Sequence, residues 1–85
     1  MKRNKGKEMK KIIIYGKDNC PACKQAKMLA ENKGLEVEYL LFPHDFGAKE
    51  MNEIFPSART FPQCILDGEK IGGYTSLVEL LTNER

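Results

Sequence analysis

Two cysteines three positions apart are the residues of this chain with the clearest capacity for chemistry. The Cys-Pro-Ala-Cys run at positions 20–23 follows a β-branched and aromatic segment, residues 11–15, that is typical of a strand. Residues 16–19 are typical of a turn, and residues 22–33 are rich in helix-forming side chains. Cys20 is therefore predicted to lie at a helix N-terminus. Free N–H groups and the helix dipole stabilise a thiolate there, so we expect the pKa of Cys20 to be lowered and a redox pair to form.

Length and composition fit one small globular domain. The chain has 85 residues, of which 41% are hydrophobic and 31% are charged. Three cysteines are too few for a secreted disulfide framework, and an isolated pair suits a reducing compartment, so we expect a cytoplasmic protein. The longest apolar runs fall far short of the roughly 18 residues that cross a membrane. The basic start lacks the apolar middle of a signal peptide, so secretion and membrane association are not expected.

The N-terminal residues carry most of the positive charge. Residues 1–11 hold six basic side chains and one acidic side chain, a balance of +5, which leaves −3 on residues 12–85 of a chain whose formal net charge is +2. One interpretation is a redox-silent binding module whose basic arm contacts nucleic acid or an acidic partner. No aromatic residues interleave the charges, so we favour a disordered extension over residues 1–9, a folded domain over 10–85 and no nucleic-acid binding.

The remaining segments predict an α/β domain with the element order βαβαββα. Gly34 ends the first helix, residues 36–41 form a second strand, residues 42–47 a loop and residues 48–55 a short helix. Residues 63–66 and 69–71 form a hairpin around a two-residue Asp-Gly turn. A strand, a helix and a strand imply a parallel crossover, whereas the tight hairpin forces antiparallel pairing.

The last helix is predicted to begin at Ser76, which forms a capping box with Glu79. Its apolar residues are expected to face the core. These residues are Leu77, Val78, Leu80 and Leu81.

Four features in order along residues 10–82 resemble a dithiol glutaredoxin of the thioredoxin-fold superfamily. They are the cysteine pair after the first strand, Lys17 ahead of it, a Thr-Phe-Pro run at 60–62 and an Ile-Gly-Gly-Tyr-Thr run at 71–75. The resemblance implies a mixed four-stranded sheet in the order 2-1-3-4, with helices on both faces.

The resemblance also implies roles for individual residues. Cys20 matches the nucleophile and Cys23 the resolving thiol of the family. Pro62 matches a cis-proline, and the backbone of Phe61 would pair with the peptide of bound glutathione. The residues that match the family's contact with the γ-glutamyl carboxylate of glutathione are Gly73, Tyr74 and Thr75.

Lys17 matches a basic position that meets the other carboxylate of glutathione, and Thr60 lines the same groove. Two residues depart from the family pattern. Ala22 stands where many members carry an aromatic wall of the groove. Ser76 stands where an acidic residue often pairs with the glutamyl ammonium group.

We therefore expect a glutathione-dependent thiol-disulfide oxidoreductase that reduces protein disulfides and glutathione mixed disulfides. It is expected to be a monomer that uses glutathione as co-substrate and holds no permanent cofactor, and ribonucleotide reductase is a plausible client. One alternative is a thioredoxin-like protein recycled by a flavoprotein reductase, although the chain is short and has no Trp. Another is an iron–sulfur carrier, in which Cys20 and glutathione from two chains hold a [2Fe–2S] cluster.

Other reactive side chains have simpler interpretations. A zinc site could draw on the cysteine pair, Cys64 and His44, but no second closely spaced pair exists, so we expect no metal site. Cys64 alternates with its neighbours in a predicted strand, which favours a core thiol. His44 lies in a loop without an evident partner and is expected at the surface. Gly72 and Gly73 either end a strand or, as we favour, approach a ligand.

Overall fold

The fold follows the predicted order of strands and helices. The computed structural model describes residues 10–58 and 60–83, with Asn83 described by its backbone alone, so the N-terminal extension predicted over 1–9 lies outside it. No helix in this part of the chain is long and apolar enough to cross a membrane. The elements are β1 (Lys11–Lys17), α1 (Pro21–Asn32), β2 (Glu36–Phe42), α2 (Ala48–Ile54), β3 (Gln63–Leu66), β4 (Glu69–Gly72) and α3 (Tyr74–Asn83).

The four strands form one mixed sheet in the order β2-β1-β3-β4, which confirms the order implied by the resemblance. β1 pairs with β2 in parallel and with β3 antiparallel, and β3 pairs antiparallel with β4. The turn between β3 and β4 has positive φ at Asp67 (52°) and Gly68 (83°), as expected for an Asp-Gly hairpin. Asp67 also bonds to both backbone groups of Lys11, at 3.2 and 2.9 Å, which fixes the hairpin to the start of β1.

The first face of the sheet is covered by α1 and α3. Alternate residues of β1 and β3 point to this face, as the two-residue period of a strand requires. Ala26 and Ala30 are small enough to let α1 lie close to the strands. The buried residues of this core are Ile12, Ile14, Ala26, Ala30, Cys64, Leu66, Leu77 and Leu81.

The opposite face is covered by α2 and the loop before it, and its core is aromatic. The ring of Tyr15 lies edge-on to Phe46 and Phe55, at centroid distances of 5.0 and 5.3 Å. The rings of Phe42 and Phe61 extend the cluster toward the carboxyl end of β1. Two lysines make cation–π contacts with this cluster. The Nζ atom of Lys17 lies 5.7 Å from the ring centroid of Phe61, and that of Lys70 lies 5.9 Å from the ring centroid of Phe55.

Several element boundaries differ by one residue from the predictions, and three differences are larger or change which residues are buried. β1 continues to Lys17, because residues 16 and 17 still pair with Leu41 and Phe42 of β2, so the turn is shorter than expected. α3 begins at Tyr74, so the predicted capping box with Ser76 as cap is wrong. Leu80 is 38% exposed, because the core covers only one side of α3 and this position points away from the sheet.

Leu77 and Leu80 provide a matched test of this packing, since both are leucines of α3. Leu77→Ala should lower the free energy of unfolding by about 2–5 kcal/mol, because the side chain is fully buried and its removal leaves a cavity. Leu80→Ala should lower it by about 1 kcal/mol or less. Urea unfolding followed by circular dichroism measures both. Equal losses would show that α3 is rotated relative to the arrangement described above.

Candidate active site

Cys20 and Cys23 form a disulfide at the start of α1. Cys20 is the N-cap residue, with extended backbone angles, and Pro21 occupies the first helical position, where a missing N–H is tolerated. The backbone N–H of Cys23 donates to Sγ of Cys20 at 3.2 Å. After reduction the same N–H, together with the helix dipole, would stabilise a thiolate on Cys20.

The two sulfur-bearing residues differ in accessibility. Cys20 is 7% exposed and Cys23 is fully buried. The polar residues before Cys20 suggested that it is exposed, and this prediction is wrong for the disulfide form. Cys20 is nonetheless the more accessible of the two, so an external thiol or disulfide meets it first.

Cys23 lies directly against the backbone of β1 at Gly16. A Cβ atom built on Gly16 would be 3.1 Å from Cβ and 3.2 Å from Sγ of Cys23, and 3.2 Å from the ring of Tyr39. These distances are shorter than ordinary carbon contacts. The absence of a side chain at position 16 thus lets α1 approach the strand. Sequence reasoning did not identify this contact, since nothing local to Gly16 indicates which residue packs on it.

A groove of about 290 Å³ runs between the segment before β3 and the start of α3. It is lined by eight of the nine residues that were predicted from the sequence to bind glutathione. The lining residues are Ala22, Thr60, Phe61, Pro62, Gly73, Tyr74, Thr75 and Ser76.

One wall of the groove depends on close backbone contact. The Phe61–Pro62 bond is cis, as the resemblance implies, and the Phe42–Pro43 bond, for which no such prediction was made, is cis as well. A Cβ at Gly73 would lie 3.2 Å from the carbonyl oxygen of Pro62, so a larger residue would push the two walls apart. Gly72 has φ of +101°, a conformation that side chains rarely adopt. Gly72 therefore allows the chain to turn, and Gly73 allows the two walls of the groove to lie close together.

The other wall ends in the N-terminus of α3. Gly73 accepts the first helical bond, from the N–H of Leu77 at 3.0 Å. The N–H groups of Tyr74, Thr75 and Ser76 consequently have no partner four residues earlier in the helix. Because all three residues line the groove, this end offers backbone donors and a positive dipole to a carboxylate.

Lys17 lies beside the groove without lining it. Its side chain is exposed, it forms no ion pair within residues 10–58 and 60–83, and its ammonium group lies over the ring of Phe61. Lys17 instead lines a neighbouring hollow of about 370 Å³ with Lys24 and Tyr39. Phe61 both lines the groove and contacts the ammonium group of Lys17, so it lies between the two.

The remaining candidates lie apart from this chemistry. Cys64 is fully buried, which confirms a core thiol, and burial raises its pKa to about 12. His44 is exposed as predicted, but the absence of a partner was wrong, since its Nε2 lies 3.7 Å from Asp18. In the described part of the chain no three His, Cys, Asp or Glu side chains are grouped so as to hold a metal ion.

A redox disulfide at a helix N-terminus, on a four-stranded mixed sheet with helices on both faces, defines a thiol-disulfide oxidoreductase of the thioredoxin fold. Comparison with known proteins names the family. The glutaredoxin family model matches residues 12–71. The chain belongs to the glutaredoxin family.

Individual relatives agree with this assignment. Glutaredoxin 3 of Escherichia coli is 35% identical over 74 residues, which cover 85% of this chain and 87% of that protein. The hybrid peroxiredoxin hyPrx5 of Haemophilus influenzae is 35% identical over 66 residues, which cover 78% of this chain but only 27% of that protein. The structure of reduced Escherichia coli glutaredoxin superposes with a TM-score of 0.73 at 27% identity, covering 87% of this chain and 95% of the other.

Alkylation of the reduced protein tests the roles of the three thiols. At pH 7 iodoacetamide should modify Cys20 first, because it is the more accessible cysteine of the pair and lies at the helix N-terminus. Cys64 should remain unmodified, since its pKa of about 12 keeps it a thiol until the pH rises far above neutrality. Peptide mass spectrometry against time measures the order, and unfolding in urea should expose Cys64 as a control. Modification of Cys23 before Cys20 would reverse the assigned roles.

Proposed function

We propose that the protein is a glutathione-dependent oxidoreductase that reduces glutathione mixed disulfides and protein disulfides. The observation that supports this most directly is the groove beside the redox pair, together with the lysine next to it, because the two offer a separate contact to each carboxylate of glutathione. In the groove lies the N-terminus of α3, where the N–H groups of Tyr74, Thr75 and Ser76 have no partner four residues earlier in the helix. Beside the groove lies the ammonium group of Lys17, above the ring of Phe61.

The first reaction requires one protein thiol. The Cys20 thiolate attacks the glutathione sulfur of a mixed disulfide, forming a new S–S bond while the substrate leaves as a thiolate and takes up a proton. A second glutathione thiolate then attacks the glutathione sulfur on Cys20. This releases oxidised glutathione and returns Cys20 to its thiolate form.

Reduction of a protein disulfide requires both cysteines. Cys20 attacks one substrate sulfur and forms a mixed disulfide with the substrate. Cys23, one helical turn further on and with its Cα 5.3 Å from that of Cys20, then attacks Sγ of Cys20 and displaces the reduced substrate. The resulting protein disulfide is the form described above. Two molecules of glutathione reduce it and leave as one molecule of oxidised glutathione.

Binding in the groove would hold glutathione by both ends and by its middle. The γ-glutamyl carboxylate would meet the α3 N-terminus, and the glycyl carboxylate would meet Lys17. The backbone of Phe61, held by the adjoining proline, would pair with the central peptide. Ser76 offers a hydroxyl where an acidic side chain would attract the glutamyl ammonium group, so we propose modest affinity for glutathione.

The cellular setting is part of the same proposal. A free Cys64 and a reducible disulfide suit a reducing compartment, and we propose that the protein acts as a monomer in the cytoplasm. Disulfide-containing proteins, ribonucleotide reductase among them, are the proposed clients.

Turnover of a small glutathione mixed disulfide tests the central claim. With glutathione, glutathione reductase and NADPH, the protein should sustain NADPH oxidation. Thioredoxin reductase with NADPH but without glutathione should support little or no turnover. Turnover with thioredoxin reductase alone would overturn the proposal in favour of a thioredoxin-like mechanism.

Cys23→Ser separates the two reactions. The variant should retain turnover of glutathione mixed disulfides, because that route needs only Cys20, and it should lose most reduction of protein disulfides. Coupled assays with each substrate measure the split, and mass spectrometry should detect a mixed disulfide trapped on Cys20. Equal loss of both activities would contradict the one-thiol route.

Lys17→Ala tests the proposed contact with the glycyl carboxylate. Because the ammonium group is exposed, its removal should raise the KM for the glutathione mixed disulfide only a few-fold, by roughly 0.2–1 kcal/mol of binding. The loss should shrink at high salt, where the Debye length falls. Lys49→Ala is the matched control, since Lys49 is an exposed lysine of α2 that lines neither the groove nor the hollow beside it. The same rise in KM in both variants would indicate an effect of net charge alone.

A further inference from the structure

The position of the resolving cysteine depends on the strand residue beneath it. Cys23 is fully buried, and its Cβ and Sγ both lie over the backbone of Gly16. A Cβ at this position would be 3.1 Å from Cβ and 3.2 Å from Sγ of Cys23, closer than the 3.5–4.0 Å at which carbon atoms attract. The phenol ring of Tyr39 closes the same space from β2, at 3.2 Å.

The strand cannot easily move away to relieve such a contact. Gly16 is held in the parallel ladder opposite Leu41, between Tyr15 and Lys17, which pair with Leu40 and Phe42. Gly16 is also buried, near the carboxyl end of β1. The φ angle of Gly16 is not positive, so its backbone conformation does not require glycine. Glycine is favoured there because a side chain would lie too close to Cys23 and Tyr39.

We infer that Gly16 is a positioning residue for Cys23 and that its missing side chain favours the disulfide over the dithiol. In the disulfide, Sγ of Cys23 is bonded to Sγ of Cys20 and cannot rotate away from the strand. In the dithiol that S–S bond is absent, so Cys23 can adopt another of its staggered rotamers about the Cα–Cβ bond. A methyl group at position 16 would therefore crowd Sγ in the oxidised protein more than in the reduced protein. The contact with Cβ of Cys23 is common to both states and largely cancels.

The consequence is a shift in the redox equilibrium. In a glutathione buffer, one glutathione thiolate attacks the protein disulfide, breaking its S–S bond and forming a mixed disulfide. A second attacks that mixed disulfide, so that two glutathione molecules lose two electrons to the protein and leave as oxidised glutathione. This exchange is chemical equilibration and does not depend on the proposed groove. Its constant reports the relative stability of the disulfide and the dithiol.

Gly16→Ala tests the inference directly. Equilibration with mixtures of reduced and oxidised glutathione, followed by acid quenching and mass spectrometry, should show an equilibrium shifted toward the dithiol. A shift of about three- to tenfold is expected if relieving the contact forces a side chain partly out of its rotamer. Gly47→Ala is the control, because a Cβ there would meet only the flexible side chain of Glu50, and its equilibrium should match that of the parent.

Kinetics give an independent measurement. Gly16→Ala should slow the reduction of protein disulfides, because that reaction ends in the Cys20–Cys23 disulfide. The rate of turnover of glutathione mixed disulfides, which needs only Cys20, should stay nearly unchanged. An equilibrium constant equal to that of the parent, or a shift toward the disulfide, would overturn the inference. Equal loss in both reactions would also overturn it, since that pattern indicates general damage to the fold.

A second pair of variants covers the possibility of poor folding. Tyr39→Leu gives a methyl group at position 16 more room on the β2 side, so Tyr39→Leu and the double variant with Gly16→Ala can be compared. The double variant should still favour the dithiol relative to Tyr39→Leu. No difference between them would exclude a role for position 16 in placing the Cys23 sulfur.

Discussion

The close approach of α1 to β1 is the contact on which the chemistry of this domain depends. A nucleophilic cysteine needs the N-terminus of a helix, and a resolving cysteine needs a fixed distance from the first. Both conditions hold here because Cys20 caps α1 and Cys23 is pressed onto the strand at Gly16. The small side chains of Ala26 and Ala30 continue the same close packing along the helix. One helix–strand contact therefore buries the resolving cysteine and holds it one helical turn from the nucleophile.

The topology of the sheet places the rest of the groove at the same end. β1 and β2 run parallel and end at Lys17 and Phe42, β3 begins just after Pro62, and β4 ends at Gly72. Segments far apart in sequence thus converge at one edge of the sheet, as ligand sites of open α/β sheets generally do. The aromatic cluster beneath Phe61 supports that edge from the α2 side. Packing on the α1 side of the sheet positions Cys20 and Cys23. Packing on the α2 side positions Phe61, whose backbone pairs with glutathione in the proposed complex.

Sequence reasoning predicted the elements and their order because each had a strong local signal. The Asp-Gly turn, the glycine after α1 and the alternation in β3 are properties of a few adjacent residues. The end of β1 was placed too early, since Gly16 and Lys17 have weak strand preference and extend the strand only by pairing with β2. α3 starts two residues before the predicted cap, because Gly73 rather than Ser76 accepts its first helical bond. Leu80 was assigned to the core because a leucine-rich helix does not reveal how much of its surface another element will cover.

The site shows the same division between local and non-local information. Eight of the nine proposed binding residues line one groove because the motifs that indicated them flank strands ending at one edge. The contact between Gly16 and Cys23 was not foreseen, since it joins a strand to a helix through a residue with no side chain. The pairing of His44 with Asp18 joins two loops and carries no sequence signature either.

The third thiol shows how the fold confines redox chemistry to the Cys20–Cys23 pair. Cys64 lies on β3, opposite Ile14 of β1, in the core that α1 and α3 cover. Burial without a charged partner raises its pKa to about 12, because the apolar surroundings favour the neutral thiol. Cys20 instead caps α1, where the backbone N–H of Cys23 donates to its Sγ, and a helix N-terminus in general favours a thiolate. Cys20 and Cys64 therefore differ in surroundings through position alone, and we expect oxidation to be directed to the cysteine that caps a helix and has its partner one turn away.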